Sequence, residues 1–237
     1  SIVDLGMLEH CIREDLNATA HRVMGVLEPL KVVVTNWQED KVEWMALENL
    51  PGNQEAGTHK APFAGKIYIE QEDFMEDPPK KFYRLSPGKE VRLKGAYIIQ
   101  CQEVIKDATG KVIELRCTYD PNSRSGEDCS RKKVKGVIHW VSAQHGIPAT
   151  VRLFDNLFLD ENPEEGGEDF TKNINPDSLV VLEDCIVEPA LADNDPNSRF
   201  QFMRKGYFYQ DPKDSTKERL VFNRIVSLRD SWVKQNK

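Results

Sequence analysis

No run in this sequence approaches the roughly 18 apolar residues that a membrane-spanning helix requires, and no charged-then-apolar leader opens it. Five cysteines, at positions 11, 101, 117, 129 and 185, are too few and too scattered for a disulfide framework. No two of them form a C-x-x-C pair, and no two histidines have zinc-finger spacing. Reduced thiols, no metal and a cytoplasmic setting are the expectation. Also missing are the G-x-x-x-x-G-K-[ST] phosphate loop, the G-x-G-x-x-G turn and the G-x-S-x-G elbow. No nucleophile is paired in sequence with a recognisable base, so no catalytic residue is assigned. His145-Gly146-Ile147-Pro148 lacks the second histidine of a nucleotide-site motif and reads as a turn. His139, in the pattern VKGVIHWV, reads as an inward structural histidine. Asn17-Ala18-Thr19 matches a glycosylation sequon by spacing alone and is set aside.

What is there is material for a folded core: 237 residues, 39% of them hydrophobic, fit one large domain or two small ones. Leu5, Leu8, Ile12 and Leu16 recur at helical spacing with Cys11 beside them. The helix is expected to begin at Ser1 with no cap before it, as in a chain cut from a longer one. Beyond it the period drops to two. Strands are expected at 31–35, 42–47, 65–70, 90–104, 111–119, 134–141, 150–154, 179–191, 199–210 and 220–228, each rich in Val, Ile, Leu and aromatics and bounded by turn residues. Asp107-Ala108-Thr109-Gly110 has the composition of a hairpin loop. Short helical turns are expected at 72–74 and 141–145, and an acidic loop at 160–169. Ten such strands with so little helix indicate a mainly β protein of two β-barrels preceded by a short helical segment.

A net charge of −7 argues at first sight against nucleic acid, but the charge is uneven. Between Asp155 and Asp195 the balance is −12, which leaves +5 on the remaining 196 residues. The run KKFYRLSPGKEVRLK from Lys80 to Lys94 alone carries +5, interleaved with Phe82 and Tyr83, and Arg131-Lys132-Lys133-Val134-Lys135 forms a second basic run. One such run is ordinarily a solvated strand face. Two of them, one with aromatics, form the kind of local stripe on which a phosphate backbone docks.

Seven segments together are more specific than any short motif: CIREDLN at 11–17, RVMGVLEPLKVVV at 22–34, PFAGKIYIE at 62–70, GKEVRLKGAYII at 88–99, KVKGVIHWVSAQH at 133–145, TVRLFDNLF at 150–158 and FNRIVSLRDSW at 222–232. In this order they closely resemble the C-terminal part of glutaminyl-tRNA synthetases. Archaeal-type glutamyl-tRNA synthetases share the barrels, but HWVSAQHGIP looks more like the glutaminyl branch. The resemblance implies an anticodon-binding fold of a proximal and a distal barrel, similar to a ribosomal 5S RNA-binding fold. It divides the chain into a helical connector (1–20), a proximal barrel (21–79 with 160–237) and a distal barrel (80–159). The ATP-binding catalytic domain, which takes ATP with magnesium, would lie before this piece. No cofactor is expected in the piece itself.

The implied partners are glutamine tRNA and the remainder of the synthetase in cis, with no DNA, no membrane and a monomer as the default. The resemblance places Arg92 and Lys94 at the first anticodon letter and Arg84 at the third, and has Arg22, Gln201 and Arg204 converge on the central uridine between the barrels. The residues themselves agree in part. Alternation along 90–94 turns Arg92 and Lys94 away from Val91 and Leu93, a platform for a base edge and its phosphate. Gln201, between Phe200 and Phe202, is sent outward as the phenyls turn in, whereas Arg204 has the wrong parity and needs a bend before Gly206. Arg22, just past the helix, could equally satisfy terminal carbonyls. Lys94 stands where the family often has Arg, and Lys81 and Tyr83 also depart from common residues there. The acidic stretch should face away from RNA. Two other readings are a free-standing ribosomal-type RNA-binding barrel and a protein-interaction barrel, the last without salt-dependent RNA affinity.

Overall fold

The computed structural model describes residues 4–160, 163, 169–195 and 197–229. Its one α-helix among these, α1 (Leu5–Thr19), is capped: the Asp4 carboxylate accepts from the Met7 amide at 3.1 Å. That corrects the uncapped start expected from the sequence; residues 1–3 lie outside the described residues. Only the last turns of the apolar stripe are covered. Leu16 and Ala20 pack with Tyr207 and Val226, with Ile12 alongside, while Leu5 and Leu8 are exposed.

Two seven-stranded sheets follow. The first comprises β1 (His21–Val23), β2 (Gly25–Val26), β12 (Ile147–Phe154), β13 (Leu179–Val187), β14 (Arg199–Phe202), β15 (Gly206–Gln210) and β16 (Leu220–Val226), in the order β1-β14-β15-β16-β12-β13-β2. Its two edge strands, β1 and β2, are one stretch of chain interrupted by Met24, so the sheet curls until its edges meet at that residue. The second comprises β3 (Pro29–Val34), β6 (Lys66–Glu70), β7 (Glu90–Leu93), β8 (Ile98–Lys106), β9 (Val112–Tyr119), β10 (Val137–Ile138) and β11 (Val141–Ser142), in the order β10-β7-β8-β9-β3-β6-β11. Again the edges are consecutive, here separated by His139 and Trp140. One sheet is a nearly closed barrel and the other a half-barrel; the strand count and patterning led us to expect a mainly β protein of two barrels. A two-stranded ribbon, β4 (Glu43–Glu48) with β5 (Thr58–Phe63), turns Met45, Leu47, Ala61 and Phe63 into the second core.

Alternation explains the cores. In β14 the pattern turns Phe200 and Phe202 inward, against Phe208 and Phe222. In the second sheet Trp37, Phe63, Tyr97, Tyr119 and Trp140 meet mainly edge to face, and the Trp140 indole donates to the Lys94 carbonyl at 2.9 Å. Sheet membership cuts the chain differently from the division expected above. β3 and β6, from 21–79, pair with the middle strands because β3 lies parallel to β9, and β12, from 80–159, lies parallel to β16 in the first sheet.

Several expected strands are subdivided. The stretch 90–104 turns back at Lys94–Tyr97, where Gly95 takes φ +65° and a Cβ would strike the Leu47 side chain at 2.2 Å. Residues 134–141 give only the two short edge strands, and 141–145 is β11 followed by a turn, closed by the Gly146 amide on the Ser142 carbonyl, not a helix. The expected turn near 72–74 is a single helical turn over Gln71–Asp73. The 107–110 loop holds, its Asp107 side chain accepting from the Thr109 amide, the Thr109 hydroxyl and the Lys111 amide. β1, β2 and β5 were not anticipated, being too short or too polar to show a period. Most of the expected acidic loop lies outside the described residues.

Candidate nucleic-acid interface

The six residues singled out by the sequence fall into three groups. In the first, β1 runs parallel to β14 with Arg22 opposite Gln201, and β14 runs antiparallel to β15 with Gln201 opposite Tyr207. The Arg22 guanidinium is buried and donates to the Ala20 carbonyl at 2.7 Å and to the Asn17 carbonyl and side-chain oxygen at 2.9 and 2.8 Å. It thus satisfies the open end of α1. The Gln201 amide donates to the Tyr207 hydroxyl at 2.9 Å, which in turn lies 3.4 Å from Asn17 Oδ1. Asn17, set aside as a chance sequon, is the residue that joins Arg22 to Gln201.

The second group sits where the two sheets meet. β14 ends at Phe202, and Met203–Lys205 form the turn into β15, with Arg204 at φ +66°. This is the bend that parity demanded. It sends the Arg204 fork onto Asp73, Nη1 donating to Oδ1 at 2.8 Å and Nη2 to Oδ2, while Nε donates to His139 Nδ1 at 3.2 Å. Arg84 Nε lies 3.4 Å from the same Asp73 Oδ1, and its Nη1 donates to the Glu72 carbonyl at 2.9 Å. Since His139 Nδ1 accepts, the ring proton belongs on Nε2, which donates to Glu70 Oε1 at 3.2 Å. Glu70 also accepts from the Leu27 and Glu28 amides at 2.9 and 3.1 Å, and Lys205 Nζ lies 3.3 Å from it. Burial pushes the Glu70 carboxyl up, but the His139 hydrogen bond, the Lys205 charge and the Leu27 amide outweigh it and hold it below the usual carboxylate range. Glu72 is also held low, chiefly by its hydrogen bond from Lys205.

The third group lies on β7. Arg92 Nη1 donates to the Ser123 carbonyl at 2.8 Å and Nη2 pairs with Asp128, so the loop after β9 folds back over the strand. Lys132 of the same loop pairs with Glu90 at 2.6 Å and with Asp120 at 3.1 Å. Lys94, in the turn beyond β7, is exposed and its ammonium has no ion pair with a described residue. Nearby in chain order Tyr83 is half exposed, with Lys135 Nζ 5.1 Å from its ring centre, an aromatic face and a cation in one place.

The structure therefore joins Arg22 to Gln201 and Arg84 to Arg204, and leaves Arg92 with its own loop. It anchors Arg204 on Asp73 and His139. Most of the guanidinium groups are already held by internal acceptors, so their orientation is set before any ligand arrives. Asp73 and Glu70 sit in an ordinary acidic context, and no spacing signal in the sequence singles them out. His139, expected to be an inward structural histidine, has a buried ring. Among the described residues no cluster of His, Cys, Asp and Glu has metal-site geometry, and no helix is long and apolar enough to cross a membrane.

Two family models match, both described as tRNA synthetases class I (E and Q), anti-codon binding domain, one over residues 20–120 and the other over 137–211. Among curated proteins the chain is similar to the glutamine–tRNA ligase of Nitrobacter winogradskyi, 52% identical over 99% of this chain and 41% of the relative. That of Ectopseudomonas mendocina is 55% identical over 98% and 42%, and that of Clostridium perfringens 51% identical over 98% and 42%. The chain spans about two fifths of the length of these relatives.

Proposed function

Because this chain belongs to the anticodon-binding domains of the class I tRNA synthetases (E and Q), we propose that it is the tRNA-reading portion of a glutamine–tRNA ligase. Identity above 50% across nearly the whole chain with proteins carrying that name is the observation behind the choice of glutamine. On this reading the portion of the relatives outside the match supplies ATP- and magnesium-dependent attachment of glutamine, the chain holds the tRNA in cis with it, and both act in the cytoplasm.

The site chemistry suits the task. Anticodon bases are unstacked in a loop, so their Watson–Crick edges accept from guanidinium and amide groups and their faces stack on exposed aromatics such as Tyr83. Arg92 and Lys94 are assigned to the first letter, Arg84 to the third, and Arg22, Gln201 and Arg204 to the central uridine. Arg204, held by Asp73 and His139, keeps one Nη1 hydrogen to offer, and Gln201, held by Tyr207, keeps its second amide hydrogen; both are directional donors rather than mobile charges. Lys94 offers a point charge in place of a fork, so discrimination at the first letter is expected to be looser than at the second.

Binding of this chain to glutamine tRNA at low salt, compared with the same tRNA changed at its central uridine, tests the reading. The expected result is a loss of about tenfold or more on changing the base, the order of magnitude of one lost directional pair, and a similar loss on Arg204→Ala. Equal binding to both tRNAs would mean that the chain grips only the backbone, and the base assignments would fall.

A further inference from the structure

Asp73 holds a position that no reading above assigned. Its carboxylate is 0% exposed at the end of the Gln71–Asp73 turn, which follows β6 directly. Among the described residues, its side-chain oxygens are met by two arginines from different parts of the chain: Arg204, from the β14–β15 turn of the first sheet, and Arg84, from the segment leading to β7 of the second. Its own carbonyl accepts from the Leu85 amide at 2.9 Å, which pins the segment carrying Arg84 against the same turn.

From this geometry we infer that Asp73 is a positioning residue, which sets Arg84 and Arg204 as one unit so that adjacent anticodon letters are read together. The inference rests on the function proposed above and deepens it. A buried carboxylate facing a fork fixes both the distance and the plane of the guanidinium. The plane is fixed a second time from the other side, because His139 Nδ1 accepts from Arg204 Nε and is itself held through Nε2 by Glu70. Arg204 takes a left-handed φ of +66°, which is uncommon for a non-glycine residue. Among the described residues Arg204 pairs with Asp73 alone, whereas Arg84 also lies 3.5 Å from Glu72 Oε2. Drawing Arg84 toward a base therefore leaves Asp73 more fully to Arg204, which couples the two letters.

The test uses Asp73→Asn, which keeps the shape and one acceptor oxygen but removes the charge. Four RNAs are titrated against the chain and the variant: glutamine tRNA, the same tRNA changed at the second letter or at the third, and a polyadenylate oligonucleotide. The expected result is that preference for the cognate second and third letters falls about tenfold or more, while polyadenylate binds equally or more tightly because an anion has gone. A merely structural role would weaken all four alike and lower the unfolding temperature. That pattern, or a variant that keeps the wild-type preference at both letters, overturns the inference. Should the unaltered chain itself show no preference, the proposed function falls first, and this inference with it. A second measurement needs no protein variant. In the unaltered chain, changes at the second and third letters, made singly and together, are expected to be non-additive by at least about twofold, as for groups sharing one partner. Strict additivity would overturn the coupling even if Asp73→Asn failed to fold.

Discussion

Glu70 illustrates how much one side chain can carry at the residue scale. It is 0% exposed, yet its oxygens take four donors: the amides of Leu27 and Glu28, the His139 ring and Lys205. Burial alone would neutralise it, and these donors reverse that and keep the carboxyl low. A carboxylate held lower in the folded than in the unfolded chain adds stability that is complete above the unfolded value of about 4.3 and is lost as pH falls through the folded value. Glu70→Gln is therefore expected to cost about 3 kcal/mol at neutral pH by leaving buried donors and a lysine without their anion. The gap to wild type should shrink below pH 4. Urea unfolding at pH 7 and pH 3.5 measures both; an equal cost at the two pH values would mean that the Glu70 carboxyl titrates alike in the folded and unfolded chain, and a larger cost at pH 3.5 that the fold holds it high rather than low. The thiols give a simpler prediction. Cys11 and Cys129 are exposed, whereas Cys101, Cys117 and Cys185 are buried, and burial pushes the Cys185 thiol up to about 12. Two of the five thiols should react quickly with a disulfide reagent in the native protein, and all five after denaturation.

Among the elements, the edge segment from Gly136 to Ser142 closes the second sheet and brings His139 to Arg204. Gly136 is required by close approach rather than by its dihedral angles: a Cβ there would lie 1.6 Å from the Tyr83 carbonyl oxygen, and its own carbonyl accepts from the Arg92 amide at 3.0 Å. Gly136→Ala must push the Tyr83–Arg84 backbone away and is expected to cost about 3 kcal/mol, at the upper end of overpacking penalties. Gly126 offers the contrast. It takes φ +87° with open space around its missing Cβ, so Gly126→Ala should cost only about 1 kcal/mol, from the backbone alone. In a chain of this length the two should lower the unfolding temperature by roughly 6–12 °C and 2–4 °C. Of the two, only Gly136→Ala should also weaken discrimination at the third letter, since it moves the segment bearing Arg84.

For the whole molecule, the proposed affinity for RNA must come from a cationic minority on an acidic protein. Net charge is −7, but Lys94, Lys135, Arg84, Arg92 and Arg204 lie on or beside the second sheet and its junction with the first, with Arg22 on an edge strand of the first, while the β12–β13 hairpin carries much of the acid. Counterion release sets the expectation: with about four phosphates engaged, log affinity should fall with log salt at a slope of roughly −3. A flat dependence would favour a protein-interaction barrel over an RNA-binding one.

The mainly β character, the two barrels, the basic run from Lys80 to Lys94 and the family itself were all legible in the sequence. Each depends on local alternation, composition or collinear segments, which need no knowledge of what lies across the fold. The residues that orient the site were not legible. Asn17 meets Arg22 and Tyr207, Asp73 gathers Arg84 and Arg204, and Asp128 reaches back to Arg92, over separations of up to 190 residues. The assignment of β3 and β6 to the second sheet was hidden for the same reason, because parallel pairing with β9 joins segments some 80 residues apart. Alternation tells which face a side chain takes. Only the curling of each sheet about a bent edge segment, at Met24 in one and at His139–Trp140 in the other, decides which distant carboxylate it finds there.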